Sequence, residues 1–245
     1  MKKYFLFVSL IISTIAFAQT KSGLAAKDTV AYRLEKEVYT HALKYSDLAV
    51  AKTAMYKMMA LNPSDKTLKD SLLYIYFNAS SFGQSILLCR ELLAVDGSRS
   101  NILEIKAVSE QNLGLVKDAL ESYEKLFVQS KNIYHQYQIA VLQYQLKRFG
   151  ECSANIEEII KNEKSSTEKV NISLSERENQ QVVLKAAALN IRGVMLLEAN
   201  RDDVAKASFA EALKIQADFE LAKNNLTLIE KRAKTATTPA KPKAK

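Results

Sequence analysis

The sequence predicts an all-α protein built from stacked helix pairs, and three observations support this. Small residues recur at steps of 34 residues, at Ala51, Ser85 and Ala119. A larger core-type residue follows each of them four positions later, and an apolar pair closes each segment. The 245 residues include only 6 glycines and 3 prolines, which leaves few turns for a β fold. A fixed period of this length indicates supersecondary units that bury their apolar faces against each other.

Within each segment, apolar spacing predicts two amphipathic helices joined by a short turn. In the third segment, Ile102, Leu103 and Ile105 form the apolar face of the first helix. Gly114 marks the turn, and a second helix follows over 117–128. The predicted repeats lie near 32–65, 66–99, 100–132, 133–166 and 186–219, and a capping helix follows over 220–232.

The period is interrupted once, between the repeats that begin at residues 133 and 186. The inserted stretch lies near 162–181 and is polar. It is either a tolerated loop or a lip that contacts a partner. Ser173 or Ser175, each followed by acidic residues, offers a cap for a lengthened helix leading into the last repeat.

The N-terminal 18 residues have the pattern of a signal peptide. Lys2 and Lys3 precede an apolar run, and the small-x-small sequence at 16–18 predicts cleavage between Ala18 and Gln19. An uncleaved anchor is the alternative. We therefore expect an exported protein, in the periplasm or secreted, with a lead-in over 19–31 before the repeat domain of 32–234.

The net charge of +8 is confined to the two ends of the chain. Two lysines before residue 18 and six basic residues after residue 230 account for the whole excess, so the body is neutral. A neutral body gives no basic stripe for phosphates, and we expect no nucleic-acid partner. The tail 235–245 is rich in Ala, Thr, Lys and Pro and is predicted to be disordered. It is either simply solvated or in weak contact with an anionic envelope surface.

The repeats resemble the tetratricopeptide repeat (TPR) family. The last repeat carries the resemblance best, with Gly193, Ala205, Phe209 and Ala212 at the motif's small, Ala, aromatic and Ala places. The first two repeats depart from it, because a large residue stands at the eighth place. The resemblance implies antiparallel helix pairs stacked into a right-handed superhelical solenoid of about five repeats. It also implies a concave groove that binds a protein or an extended peptide.

In TPR proteins the first helix of each repeat lines most of the groove. Carrying those motif places over to this chain predicts a surface of amides and aromatic rings, in which several tyrosines are alternatively half-buried between helices. The predicted groove residues are Lys36, Asp70, Tyr74, Phe77, Asn78, Asn101, Gln111, Asn112, Tyr134, Tyr137, Tyr144 and Asn190.

The sequence offers almost no material for catalysis. His41 and His135 are the only histidines, and we find no metal-ligand spacing, phosphate loop or nucleophile motif. We therefore predict no enzyme activity, no cofactor and no metal. The expected function is a non-catalytic scaffold or adaptor in the cell envelope. The alternative is a module that binds cell-wall glycan through groove aromatics and the basic tail.

Overall fold

The structure is a computed structural model that describes residues 29–175 and 178–237. The predicted signal peptide with its cleavage site at Ala18 and Gln19, the lead-in before Thr29, and residues 238–245 of the tail lie outside the described residues. The chain divides into two compact units, Met1–Leu68 and Lys69–Lys245. We describe the two units separately.

The first unit contains one helix pair, α1 (Val30–Lys44) and α2 (Leu48–Leu61). Thr29 caps α1 by accepting from the amide of Tyr32, and Asp47 caps α2 in the same way. The two helices pack against each other through small and flexible apolar side chains. The buried residues of the pair include Tyr32, Ala42, Ala51, Ala54, Met55 and Met58.

The second unit contains four further helix pairs and a closing helix among its described residues. The boundary between the units falls within the first turn of α3. The helices are α3 (Thr67–Asn78), α4 (Phe82–Val95), α5 (Ser100–Asn112), α6 (Val116–Ser130), α7 (Ile133–Gln145), α8 (Phe149–Lys161), α9 (Leu184–Glu198), α10 (Asp202–Ile215) and α11 (Glu220–Thr237).

The turn inside each helix pair has the same backbone geometry, and it reproduces the period of the sequence. One residue in each of these turns adopts a left-handed conformation, with φ between 55° and 70°. The next amide donates five residues back, as in Asp47 N to Ala42 O (2.8 Å) and Leu115 N to Glu110 O (2.9 Å). The left-handed residues of the five turns are Ser46, Ser80, Gly114, Lys147 and Asn200.

Two pairs of the second unit are also held by a fit between their eighth and twenty-fourth places. In the last pair the two places hold Gly193 and Phe209, and a Cβ on Gly193 would lie only 2.4 Å from the Phe209 ring. In an earlier pair, Ala107 and Tyr123 share one apolar cluster, and both are fully buried. A small side chain on the first helix therefore accompanies a large ring on the second.

Successive pairs of the second unit join where a second helix packs on the following first helix. Cys89 and Leu92 of α4 share a core cluster with Ile102 of α5. Tyr123 and Leu126 of α6 likewise cluster with Ile139 of α7. We call these contacts the regular junctions. The core therefore continues from one pair to the next rather than closing around a single centre.

The junction between α8 and α9 differs, because a β-hairpin occupies it. After a 3₁₀ turn at Glu163–Ser166, strands β1 (Lys169–Ser175) and β2 (Glu178–Val183) pair antiparallel, with Val170 opposite Val182. The expectation of a loop or a lengthened helix is therefore wrong. Val170, Ile172 and Leu174 alternate with exposed residues. Because successive side chains of a strand point to opposite faces, this alternation directs one face of the strand toward the core.

The hairpin is fixed to the turn between α10 and α11. The Gln216 amide accepts from the Val183 backbone N–H (2.8 Å) and donates to the Gln181 carbonyl (3.0 Å). The Gln180 side chain donates to the Asp218 carbonyl (2.7 Å) and accepts from the amide of Glu220, the first residue of α11 (3.0 Å). The insertion is therefore a structural part of the last repeat.

Helix α11 closes the described part of the second unit. It buries Ala222 and Ile229 against α9 and α10, together with Phe219 just before it. The helix ends at Thr237, beyond the predicted limit of residue 232. Residues 235–237, which the sequence assigns to a disordered tail, are thus its last residues.

Candidate partner-binding face

The first helices of the second unit are connected side chain to side chain along one face. Asn101 on α5 donates to the Tyr74 hydroxyl on α3 (3.2 Å). Gln111 on α5 donates to Gln138 on α7 (3.2 Å). We call the surface of α3, α5, α7 and α9 that carries these contacts the first-helix face. Consecutive first helices thus lie side by side, which is the arrangement that the predicted groove requires.

The tyrosine and amide groups of this face are held in fixed orientations. The Gln111 side chain accepts from the Tyr123 hydroxyl (3.1 Å) while it donates to Gln138. The Tyr144 hydroxyl donates to the Glu198 carboxylate on α9. Burial and the nearby Glu198 raise the pKa of Tyr144 to about 12, so this hydroxyl remains a donor at neutral pH. The face therefore offers oriented donors and acceptors rather than freely rotating side chains.

Other predicted residues of α3 and α5 lie near this face but are engaged within the chain. Asp70 forms an ion pair with Arg99 (2.9 Å). The Phe77 ring meets the Phe82 ring edge-on, with centroids 6.1 Å apart. Asn112 donates to the Val108 carbonyl of its own helix (2.8 Å).

Two further predicted residues are exposed to solvent. Asn78 is exposed at the end of α3. Lys36 is exposed on α1, in the first unit.

Two predicted groove residues are buried instead. Tyr137 is only 5% exposed and packs in the cluster that includes Val170 and Val182 of the hairpin. Burial raises the pKa of its hydroxyl well above the usual value. Asn190 is 7% exposed and accepts from Asn225 of α11 (3.0 Å). The hairpin and the closing helix add contacts that a regular repeat does not have, so these two assignments are wrong. Tyr134 is half-buried beside the His135 ring, with centroids 5.9 Å apart.

Sequence reasoning missed two polar residues beside this face. Gln138 receives the Gln111 hydrogen bond although its place is not one of the groove places of the motif. His135 is buried, bonds Ser130 through Nδ1 (2.8 Å), and lies 3.9 Å from Glu104. Burial lowers the pKa of His135, although Glu104 opposes this effect. The signal for Gln138 was its spacing of 27 residues from Gln111, which equals the spacing from Tyr74 to Asn101.

A cleft of about 780 Å³ lies between α8, α9 and α10, and its lining includes Glu198, the acceptor of the Tyr144 hydroxyl. Its apolar wall includes Phe149, Met195 and Val204. The Arg192 guanidinium on its floor donates to Ser208 (3.1 Å) and to Glu211 (2.8 Å). A similar cleft of about 580 Å³ lies between α4, α5 and α6. The first cleft lies near the turns inside two helix pairs, and the second lies near the turn between two pairs.

The described residues hold no group of three metal-ligating side chains. Burial raises the pKa of Cys89 to about 12 and that of Cys152 to about 11, which leaves both thiols protonated at neutral pH. In residues 29–175 and 178–237, the helices are too short or too polar to cross a membrane.

Comparison with solved structures identifies the fold. A crystal structure of the MamA protein matches 86% of this chain and 98% of its own at a TM-score of 0.57 and 12% identity. A tetratricopeptide repeat protein from Parabacteroides merdae matches over 84% of this chain and 75% of its own, at a TM-score of 0.61 and 15% identity. MamA from Desulfovibrio magneticus covers 78% of this chain and 98% of its own, at a TM-score of 0.56 and 8% identity.

No protein-family model matches this chain, and no curated protein matches it either. The structural matches nevertheless confirm the predicted all-α helical repeat fold.

Proposed function

We propose that this chain, which has the fold of tetratricopeptide repeat proteins, is a non-catalytic scaffold that binds a partner protein along its first-helix face. The observation that carries the proposal is the series of oriented side chains, Tyr74 with Asn101, Gln111 with Gln138, and Tyr144 with Glu198. Each contact joins two successive first helices, so the three polar pairs link α3, α5, α7 and α9 in order.

The chemistry of these three polar pairs favours an extended segment of protein as the ligand. Amide side chains match the N–H and C=O groups of a peptide backbone, and tyrosine rings add rigid contact area with a polar tip. Glu104 and Glu198 are exposed carboxylates on these helices, whereas Arg99 is already paired with Asp70. A segment that is neutral or carries basic side chains suits this balance best.

The cellular address is part of the same proposal. The N-terminal signal pattern at 1–18 supports export, and with it a partner in the cell envelope. The glycan alternative is less well supported, because Tyr137, one of its groove aromatics, lies in the core.

Affinity capture from envelope extract tests the proposal. The wild-type chain is compared with a variant that combines Tyr74→Ala, Gln111→Ala and Tyr144→Ala. We expect one or more proteins to be retained by the wild type and lost from the variant, at unchanged helical content by circular dichroism. A matched control combines Leu87→Ala, Val128→Ala and Val204→Ala, all exposed on second helices, and should retain them. Recovery of glycan without protein, or equal capture by the two triple variants, would contradict the proposal.

A further inference from the structure

Helix α1 presents an apolar stripe to solvent. Val30, Leu34, Val38 and Tyr45 are 74%, 57%, 36% and 72% exposed, and His41 continues the line between them. Their spacing of three or four residues places all five on one side of the helix, over a length of about 22 Å. Four of them, Leu34, Val38, His41 and Tyr45, border a shallow groove of about 410 Å³ that also includes Val50 of α2. The stripe is therefore a continuous surface of the first unit.

Most of the corresponding positions of later first helices are interior, whereas Lys106 of α5 and Arg192 of α9, at the place of Val38, are half-buried. Leu34 occupies the third place of its repeat, where α5 has Ile102 and α9 has Ala188, both 0% exposed. Val38 occupies the seventh place, where Ile139 of α7 is 4% exposed. Those residues cluster with the second helix of the preceding pair. The stripe on α1 thus has the chemistry of a junction surface, and no described helix precedes it.

Two charges beside the stripe are self-complementary. Glu37 and Lys44 are seven residues, or about two turns, apart and therefore lie on the same side of α1. Both are exposed, and neither forms an ion pair among the described residues. If two α1 helices cross antiparallel with Val38 opposite His41, Glu37 of each copy lies beside Lys44 of the other. A parallel two-fold arrangement would instead place these charges on opposite flanks of the contact, so that neither Glu37–Lys44 pair could form.

We propose that the α1 stripe docks on the α1 stripe of a second copy of this chain, in an antiparallel, two-fold symmetric contact. The stripe supplies the apolar core of the contact, and the two Glu37–Lys44 pairs set its direction. A single helix with the edge of α2 is a small interface, so we expect reversible dimers with a dissociation constant between about 1 and 100 µM. The residues of this contact belong to the first unit, whereas those of the first-helix face belong to the second.

Sedimentation equilibrium of the purified chain over that concentration range tests the contact. We expect a monomer–dimer equilibrium in the wild type and at least about 30-fold weaker dimerisation in Leu34→Glu, because a carboxylate would enter the apolar contact. Leu87→Glu is the matched control, since Leu87 is 60% exposed on α4, and it should dimerise like the wild type. Circular dichroism establishes that both variants keep their helices.

Charge reversal tests whether a second copy of the chain covers the α1 stripe and whether the two helices are antiparallel. Glu37→Lys alone and Lys44→Glu alone should each weaken the dimer about 5- to 20-fold, because each creates two like-charge contacts. The double variant should return to within about 3-fold of the wild type. A monomeric wild type at all concentrations would overturn the proposal and leave the stripe to another occupant. A dimer insensitive to Leu34→Glu, or a double variant that stays weak, would overturn it equally.

Discussion

The regular junctions and the interrupted junction of the second unit meet the same packing requirement in different ways. At the regular junctions, one second helix lies directly on the next first helix, as Tyr123 and Leu126 of α6 do around Ile139 of α7. At the interrupted junction, Val170 and Val182 of the hairpin join α7, α8 and α9 in one cluster. A helical stack therefore accepts an insertion when the insertion supplies its own apolar side chains and satisfies its own backbone.

The comparison also separates what is local from what is shared. The turns on both sides of the insertion, at Lys147 and Asn200, have the same left-handed geometry as Gly114. The helix pair is thus unaffected by the length of the connection that follows it. Only the residues that face the insertion change their role, and Tyr137 is the clearest case.

The largest expected effect comes from placing a charge in the hairpin core. Val182 is 0% exposed, so Val182→Asp buries an unpaired carboxylate and should lower the free energy of unfolding by about 4 kcal/mol or more. Urea denaturation followed by circular dichroism measures it. The exposed neighbour Gln181→Asp is the control and should change the stability by less than about 0.5 kcal/mol. If Val182→Asp were equally mild, the hairpin would be an appendage and not part of the junction.

A second substitution asks whether the pair after the insertion is packed as tightly as the others. Gly193→Ala should cost about 2 to 3 kcal/mol, because the new methyl group would lie 2.4 Å from the Phe209 ring. Combining it with Phe209→Leu should recover part of this loss, whereas two independent effects would add. Gly150→Ala is the control, since a Cβ there meets no atom within 4 Å and should stabilise its helix by about 0.5 to 1 kcal/mol. Equal effects of the two alanines would contradict the close fit.

The smallest effects concern the turns inside the helix pairs. The same conformational preference should govern the turn before a regular junction and the turn before the interrupted one. Lys147→Gly should raise the free energy of unfolding by about 0.5 to 1 kcal/mol, because glycine adopts the left-handed conformation without strain. Gly114→Ala, at φ 70°, should lower it by about 1 kcal/mol. Denaturation midpoints at constant slope report both changes. Substitutions that shift stability in the same direction would show that the shared backbone geometry does not govern these turns.

The fold was accessible from the sequence because its determinants are local and periodic. The sizes of Ala119 and Tyr123 mark a second helix, and those of Gly193 and Phe209 mark the first and second helices of the last pair. The spacing between them places the repeats in register. The sequence did not predict the hairpin, because the inserted stretch is polar overall and polar stretches are typical of loops. The alternation of Val170, Ile172 and Leu174 was present, but it covers few residues between charged neighbours.

The candidate face was predictable in outline but not residue by residue. Motif places located Tyr74 on α3 and Asn101 and Gln111 on α5; in the structure Asn101 bonds Tyr74, whereas Gln111 bonds Gln138 of α7. Tyr137 and Asn190 were assigned to the groove because a regular repeat leaves those places open. Their burial depends on the hairpin and on α11, which contact them from distant positions in the chain.

The fit between the eighth and twenty-fourth places has a consequence for how such a chain diverges. Leu73 shares a cluster with Cys89, Ala107 with Tyr123 and Ala140 with Ile156, while Gly193 faces Phe209. In these four pairs a smaller side chain at one place accompanies a larger one at the other, and either helix can carry the larger one. Mutations at the two places are therefore expected to arise as compensating pairs. A family model that scores each sequence position separately does not capture this pairing of side chains, whereas the packing of the two helices depends on it.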